Sequence, residues 1–182
     1  MKTKTIVYLF LVALAFISCT GESVKLAYSN QAEKIDNYVK KELEKNPEKR
    51  AVVNNGIVRL VEVEGEGEEL QEDGTVSFLY AGYDFSNFSI TNSKLFATNS
   101  PDIAREAKWE ISDSTLLGEK IVSLKDNILI EGLQKGLVGV KEGEECYILF
   151  PGNRAFGKNT LGTIPAYAPL AYHFWIIKIE NF

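Results

Sequence analysis

The sequence predicts an α+β fold, and three observations carry that prediction. Between Val52 and Ile179, short runs of β-branched and aromatic residues are separated by Gly, Asn and Pro turn signals. Ahead of them, Ile35, Tyr38, Val39 and Leu43 fall on one face of a helix otherwise rich in Lys and Glu. Later, Ile130, Leu133 and Leu137 recur at helical spacing. With 182 residues and 45% hydrophobic content, the chain is long enough to enclose one core, so a single domain with appended structure is expected.

The chain opens Met1-Lys2-Thr3-Lys4, continues with an apolar run from Ile6 to Ile17 and meets Ser18-Cys19. This is the charged, hydrophobic, small-residue order of a secretory signal, and the run is too short to span a bilayer. Two cuts compete. Ala13-Leu14-Ala15 fits the A-x-A rule of an ordinary signal peptidase but leaves only about seven apolar residues before it. Phe16-Ile17-Ser18-Cys19 resembles a bacterial lipobox, which would make Cys19 the acylated first residue and the lipid anchor. The expected division is a lipoprotein signal peptide over 1–18, a tether and N-terminal helix over 19–50, and a folded domain over 51–182 with an insertion around 85–118.

Thr20 to Tyr28 reads as a short polar tether, and Ser29 as the N-cap of a helix ending at Asn46-Pro47. Four apolar anchors are too few for a coiled coil, so this helix is expected to pack beside the domain or act as a spacer. Val52-Val53, Asn54-Asn55-Gly56 and Ile57 to Val63 read as strand, turn and strand. The acidic, glycine-bearing Glu64 to Glu69 lacks the ligand spacing of a calcium loop and reads as a solvated connector. Val76, Phe78 and Tyr80 alternate along a strand from Thr75 to Tyr83. From Asp84 to Leu124 the pattern weakens into a surface insertion, with a short helix started by Pro101 and a strand at Ile121 to Leu124. A helix over Asn127 to Val138 follows, then strands at Tyr147 to Phe150 and Ala171 to Ile179 around a loop bearing Phe156, Gly157, Ile164, Pro165 and Tyr167.

Several chemistries are excluded. Cutting before Cys19 removes Lys2 and Lys4 and leaves 18 basic against 25 acidic residues, which disfavours nucleic acid as a partner. Cys146 and Cys19 form no C-x-x-C, and the one histidine, His173, completes no metal set, so no cofactor and no metal are expected. A Cys146-His173 hydrolase lacks a nucleophile motif, and His173 alternates with Tyr172 and Phe174 onto the opposite sheet face. Neither a phosphate loop nor a dinucleotide fingerprint is present.

The order Tyr80-Ala81-Gly82, Leu95-Phe96, Ile128 to Leu133, Gly136 to Glu144, Phe156-Gly157 and Gly162 to Leu170 resembles an FKBP-type peptidyl-prolyl isomerase of the bacterial exported lipoprotein type. The resemblance runs from about Ile57 to the C-terminus. It implies an antiparallel sheet of five or six strands curled around a short helix, with an apolar pocket between them. Carried over by position, the pocket comprises Tyr80, Phe96, Leu129, Ile130, Leu133, Phe156, Ile164 and Tyr172. The implied function is cis-trans isomerisation of X-Pro bonds, assisting protein folding outside the cytoplasm, on proline-containing polypeptides and at a membrane reached through Cys19. Ala97 stands where the family usually has Asp, Leu133 where it has the pocket-floor Trp, and Phe156 where it has a loop Tyr. These three changes favour the alternative, a non-catalytic peptide- or protein-binding lipoprotein of the same fold. A structural envelope lipoprotein with a degenerate pocket is the third reading.

Overall fold

The computed structural model describes residues 2–110 and 114–182; the side chains of residues 2–20 and of Ser114 lie outside it, and the anchor expected at Cys19 with them. Helix α1 (Lys2–Lys45) passes through both the expected tether at 20–28 and the expected cap at Ser29. The correction has a local reason. Gly21 is the only Gly or Pro between Lys2 and Asn46, so nothing stops the helix before Pro47, which disfavours helical backbone at the residue before it.

The first hairpin is β1 (Arg50–Asn54) and β2 (Ile57–Val63), joined through Asn55 and Gly56 at φ 51° and 78°. Two positive-φ residues in a two-residue loop give the turn that matches strand twist, as the Asn-Gly pair predicts. Then come β3 (Thr75–Asp84), β4 (Leu95–Thr98), α2 (Pro101–Glu106), β5 (Lys120–Ser123), α3 (Glu131–Gly136), β6 (Glu145–Phe150) and β7 (Leu170–Glu180). The sheet runs β1-β2-β6-β7-β3-β4, with β5 beside the first half of β3, and its pairings are antiparallel. It has seven strands where the sequence led to five or six.

Strand β4 is the strand missing from the sequence reading, and it lies in the stretch expected to be surface insertion. All four of its residues are half-buried, so Leu95-Phe96-Ala97-Thr98 shows no alternation to read. The segment that follows is part of the core structure. Asn99, 4% exposed, accepts from the Tyr80 N–H at 2.6 Å and donates to the carbonyls of Phe78 (3.0 Å) and Gly118 (2.8 Å). Ser100 caps α2 through the Ile103 N–H, with Pro101 at the first helical position, where its missing N–H is not needed.

Strand alternation sorts the core onto two faces of the sheet. On one, Val76, Phe78, Ile148, Phe150, Tyr172 and Phe174 meet Leu133 and Leu137 around α3. On the other, Val58, Leu60, Ala81, Tyr83 and Leu149 meet Ile35 and Val39 of α1. The helix therefore packs on the domain, and full burial of Ile35 and Val39 is worth roughly 1.5–3 kcal/mol each. His173 lies on the α1 face, stacked on Tyr147 at 4.1 Å, with Nε2 2.8 Å from Glu145 Oε1. Burial holds its pKa down to about 4 against the pull of Glu62, so the ring stays neutral near pH 7.

Candidate functional site

Helix α3 is short because the chain around it is otherwise committed. Leu124–Asp126 form a 3-10 turn, Asn127 is left-handed at φ 49°, and Ile130 is extended, at φ −61° and ψ 150°, as the N-cap. The helix expected over 127–138 is thus confined to Glu131–Gly136. Its glycines let it lie directly on β6. A Cβ on Gly132 would come 2.4 Å from the Phe150 ring, and one on Gly136 would come 2.3 Å from Ile148 Cγ2.

Between α3 and the sheet is a cavity of about 190 Å³, lined by Phe78, Tyr80, Lys120, Ile128, Leu129, Ile130, Leu133, Phe156, Tyr172 and Phe174. Six of the eight residues expected from sequence are brought together there: Tyr80, Leu129, Ile130, Leu133, Phe156 and Tyr172. Phe96 and Ile164 are not on the lining. Phe96 stands edge-on to Tyr172, with centroids 5.7 Å apart, and supports that ring from the side. Ile164 is 2% exposed and packs into the core beneath the loop. Phe78 and Phe174 also line the cavity, which the sequence did not assign to them although they share strand parity with Tyr80 and Tyr172. Lys120 and Ile128 carried no such signal, because their place depends on how β5 and the turn after it cross the cavity mouth.

Tyr172 is the hub of the aromatic wall. Its ring stacks on Phe150 (6.1 Å, 13°) and Phe174 (6.0 Å, 20°) and lies 6.0 Å from Tyr80. Gly82, opposite it in the ladder, leaves the room: a Cβ there would come 2.9 Å from Tyr172 and 3.0 Å from Phe96. Burial, and then the neighbouring Tyr80, push the Tyr172 hydroxyl up; burial does the same for Tyr80, so both stay protonated near pH 7. The lining offers neither a base nor a nucleophile. Its one charged residue is Lys120, so the lining is mainly apolar and aromatic.

The wall opposite β7 is the loop after β6. It is tied to α3 by an ion pair between Arg154 and Glu131, which Lys135 Nζ joins at 2.6 Å. These contacts, led by the Lys135 hydrogen bond, hold the Glu131 carboxyl below the usual range. A larger depression of about 780 Å³ lies elsewhere, beside Glu64, Glu66, Glu68 and Glu142. It is ringed by carboxylates and has no aromatic wall. Among the described residues no group of three or more acidic, His or Cys residues is arranged to hold a metal ion, and no helix is long and apolar enough to cross a membrane.

Comparison with known proteins agrees with this geometry. The chain is 25% identical over 129 residues to the FKBP-type peptidyl-prolyl cis-trans isomerase FkpA of Buchnera aphidicola subsp. Schizaphis graminum, covering 70% of this chain and 42% of that protein. It therefore spans less than half the length of that relative. The crystal structure of FkpA from Escherichia coli superposes with a TM-score of 0.55 at 17% identity, covering 100% of this chain and 74% of the other. A peptidyl-prolyl cis-trans isomerase from Pseudomonas syringae pv. tomato gives 0.56 at 17% identity over 85% of this chain and 96% of its own. These likenesses show the fold. The model of the FKBP-type peptidyl-prolyl cis-trans isomerases matches residues 110–176, the segment holding α3, the loop and the first part of β7.

Proposed function

We propose that the cavity binds the proline ring of an extended polypeptide and speeds rotation of the preceding amide. The observation that carries this reading is the aromatic and aliphatic cavity at the N-terminus of α3, with a main-chain donor beside it. The Ile130 N–H is given to no backbone carbonyl among the described residues, which supports assigning it to the substrate carbonyl.

Rotation about an X-Pro bond is slow because amide resonance must be broken, a barrier of about 18–20 kcal/mol. The twisted amide is less dipolar than the planar one. A dry wall of Leu129, Ile130, Leu133 and Tyr172 therefore disfavours the planar ground state more than the twisted state, and no covalent step is needed. About 4 kcal/mol of that difference would give roughly a thousandfold acceleration. Phe156 supplies the ring of the loop wall and no hydroxyl, which forgoes a hydrogen bond worth about 1 kcal/mol. The same reading places the activity outside the cytoplasm, on a chain held at a membrane through Cys19.

The test is a proline-limited refolding assay. The full chain is expected to accelerate the slow phase at micromolar concentration, and no acceleration would sink the proposal. Binding of a proline peptide without acceleration would point instead to the binding module. Leu129→Ala, at a half-buried rim position, should lower kcat/KM about fivefold, the equivalent of roughly 1 kcal/mol of lost apolar contact. Fatty acid labelling tests the anchor separately: label is expected on the chain and lost in Cys19→Ala, and label retained in that variant would refute the anchor.

A further inference from the structure

The loop between Phe150 and Leu170 narrows to a neck where Gly152 and Tyr167 meet. A Cβ on Gly152 would come 2.2 Å from the Tyr167 carbonyl oxygen, so the two backbones touch. Inside the neck, Gly157 braces both sides. Its N–H donates to Gly152 O (2.9 Å), and its own carbonyl accepts from the Tyr167 N–H (2.6 Å). That leaves one backbone group on each side, the Gly152 N–H and the Tyr167 carbonyl. Both are taken by a single side chain from the far end of the sequence. Gln31 of α1 accepts from Gly152 N at 2.9 Å and donates through Nε2 to Tyr167 O at 2.9 Å.

The result is a closed ring of hydrogen bonds, Gln31 to Gly152 to Gly157 to Tyr167 and back. Phe156, which lines the cavity, is the residue next to Gly157. Tyr167 sits at φ 63°, a left-handed backbone that a non-glycine residue keeps only when its surroundings hold it there. Its ring meets Tyr28 of α1, one turn before Gln31, at 6.1 Å. A terminal amide is the chemistry this position needs, since it carries a donor and an acceptor on one carbon, which neither a carboxylate nor an ammonium does.

From this ring we infer that Gln31 is a positioning residue for the proline cavity: the N-terminal helix, through one amide, sets the loop wall that Phe156 contributes. The inference rests on the isomerase reading for its effect on rate, and on geometry alone for its effect on the loop. It makes α1 more than a spacer, because a change in where the helix sits would be passed to the cavity.

Two near-isosteric substitutions test it in the full chain. Gln31→Met removes both bonds. Gln31→Glu keeps the acceptor for Gly152 and sets a charged oxygen against the Tyr167 carbonyl. In both, amide hydrogen exchange at Gly157 should rise tenfold or more, with β6 and β7 amides unchanged, and kcat/KM should fall three- to tenfold. As pH is lowered toward 4 the introduced carboxyl gains a proton and can donate again. Gln31→Glu should then recover toward wild type while Gln31→Met does not, a split that a merely loosened helix would not produce. Unchanged exchange at Gly157, or two variants that respond alike to pH, would overturn the inference. If the wild-type chain accelerates nothing, the isomerase reading fails on its own, and the exchange and its pH response alone decide whether Gln31 orders the loop.

Discussion

Replacing Arg59 with Met should destabilise the chain by about 3–5 kcal/mol at pH 7. Arg59 on β2 and Glu144 before β6 form an ion pair inside the protein, with side chains 6% and 0% exposed and Nε 3.5 Å from Oε1. The pairing is loose. Neither of those two atoms has a hydrogen-bond partner, although Arg59 Nη1 reaches the Val138 carbonyl at 3.4 Å and Glu144 Oε2 accepts from Lys141 N at 3.3 Å. Burial raises the Glu144 carboxyl, and the Arg59 charge opposes that rise only in part. Without Arg59 the carboxylate is left buried and unpaired, which is the costly outcome.

The pH dependence follows from the sign of that shift. A carboxyl whose pKa is raised by folding binds its proton more tightly in the folded state. Its contribution to stability is full below the unfolded value and is lost as pH rises through the folded one. The deficit of Arg59→Met should therefore shrink between pH 7 and about pH 4.5, measured against wild type by urea unfolding. At pH 7 the double variant Arg59→Met with Glu144→Leu should regain most of the loss, since an apolar pair of similar volume removes both desolvation costs. A deficit independent of pH, or a double variant no better than the single, would contradict this account.

Gly132→Ala should damage stability and the cavity together. The added methyl would meet three atoms of the Phe150 ring at 2.4–2.6 Å, well inside contact distance. Phe150 is fully buried and stacked on Tyr172, so it has no free direction in which to yield. Helix α3 must then move off β6, taking Ile130 and Leu133 out of the cavity lining. Overpacking of this kind costs typically 1–3 kcal/mol, and here the displacement falls on the groups that would hold the proline. The isomerase activity proposed for this cavity should drop at least tenfold at a temperature where the variant remains folded. A variant with wild-type kcat/KM and a wild-type unfolding midpoint would show that the helix does not rest on Gly132 as described.

The parts of the fold legible in the sequence were those whose signal is local. Val76, Phe78 and Tyr80 alternate because one face of β3 is buried, and Asn55-Gly56 turns because both positions need positive φ. Pro101 marks the start of α2 for the reason that it cannot sit later. Elements held by their neighbours were missed or misjudged. Strand β4 pairs with β3 through only Ala81, Gly82 and Tyr83, and Asn99 is buried by bonds to residues nineteen and twenty-one positions away. Helix α3 came out shorter than its periodicity suggested, because the backbone at Asn127 and Ile130 is set by packing across the cavity.

The sequence by itself determined the α+β class and the two faces of the central strands, since strand parity and helical spacing are one-dimensional properties, while six of the residues that line the cavity came from the family resemblance carried over by position. Only the tertiary structure decided that Phe96 and Ile164 stand behind the wall, that Lys120 lies at its mouth, and that Gln31 closes the neck of the loop. Those contacts join residues 121 and 136 positions apart, and no pattern along the chain records which amide will meet which carbonyl once α1 lies across the sheet.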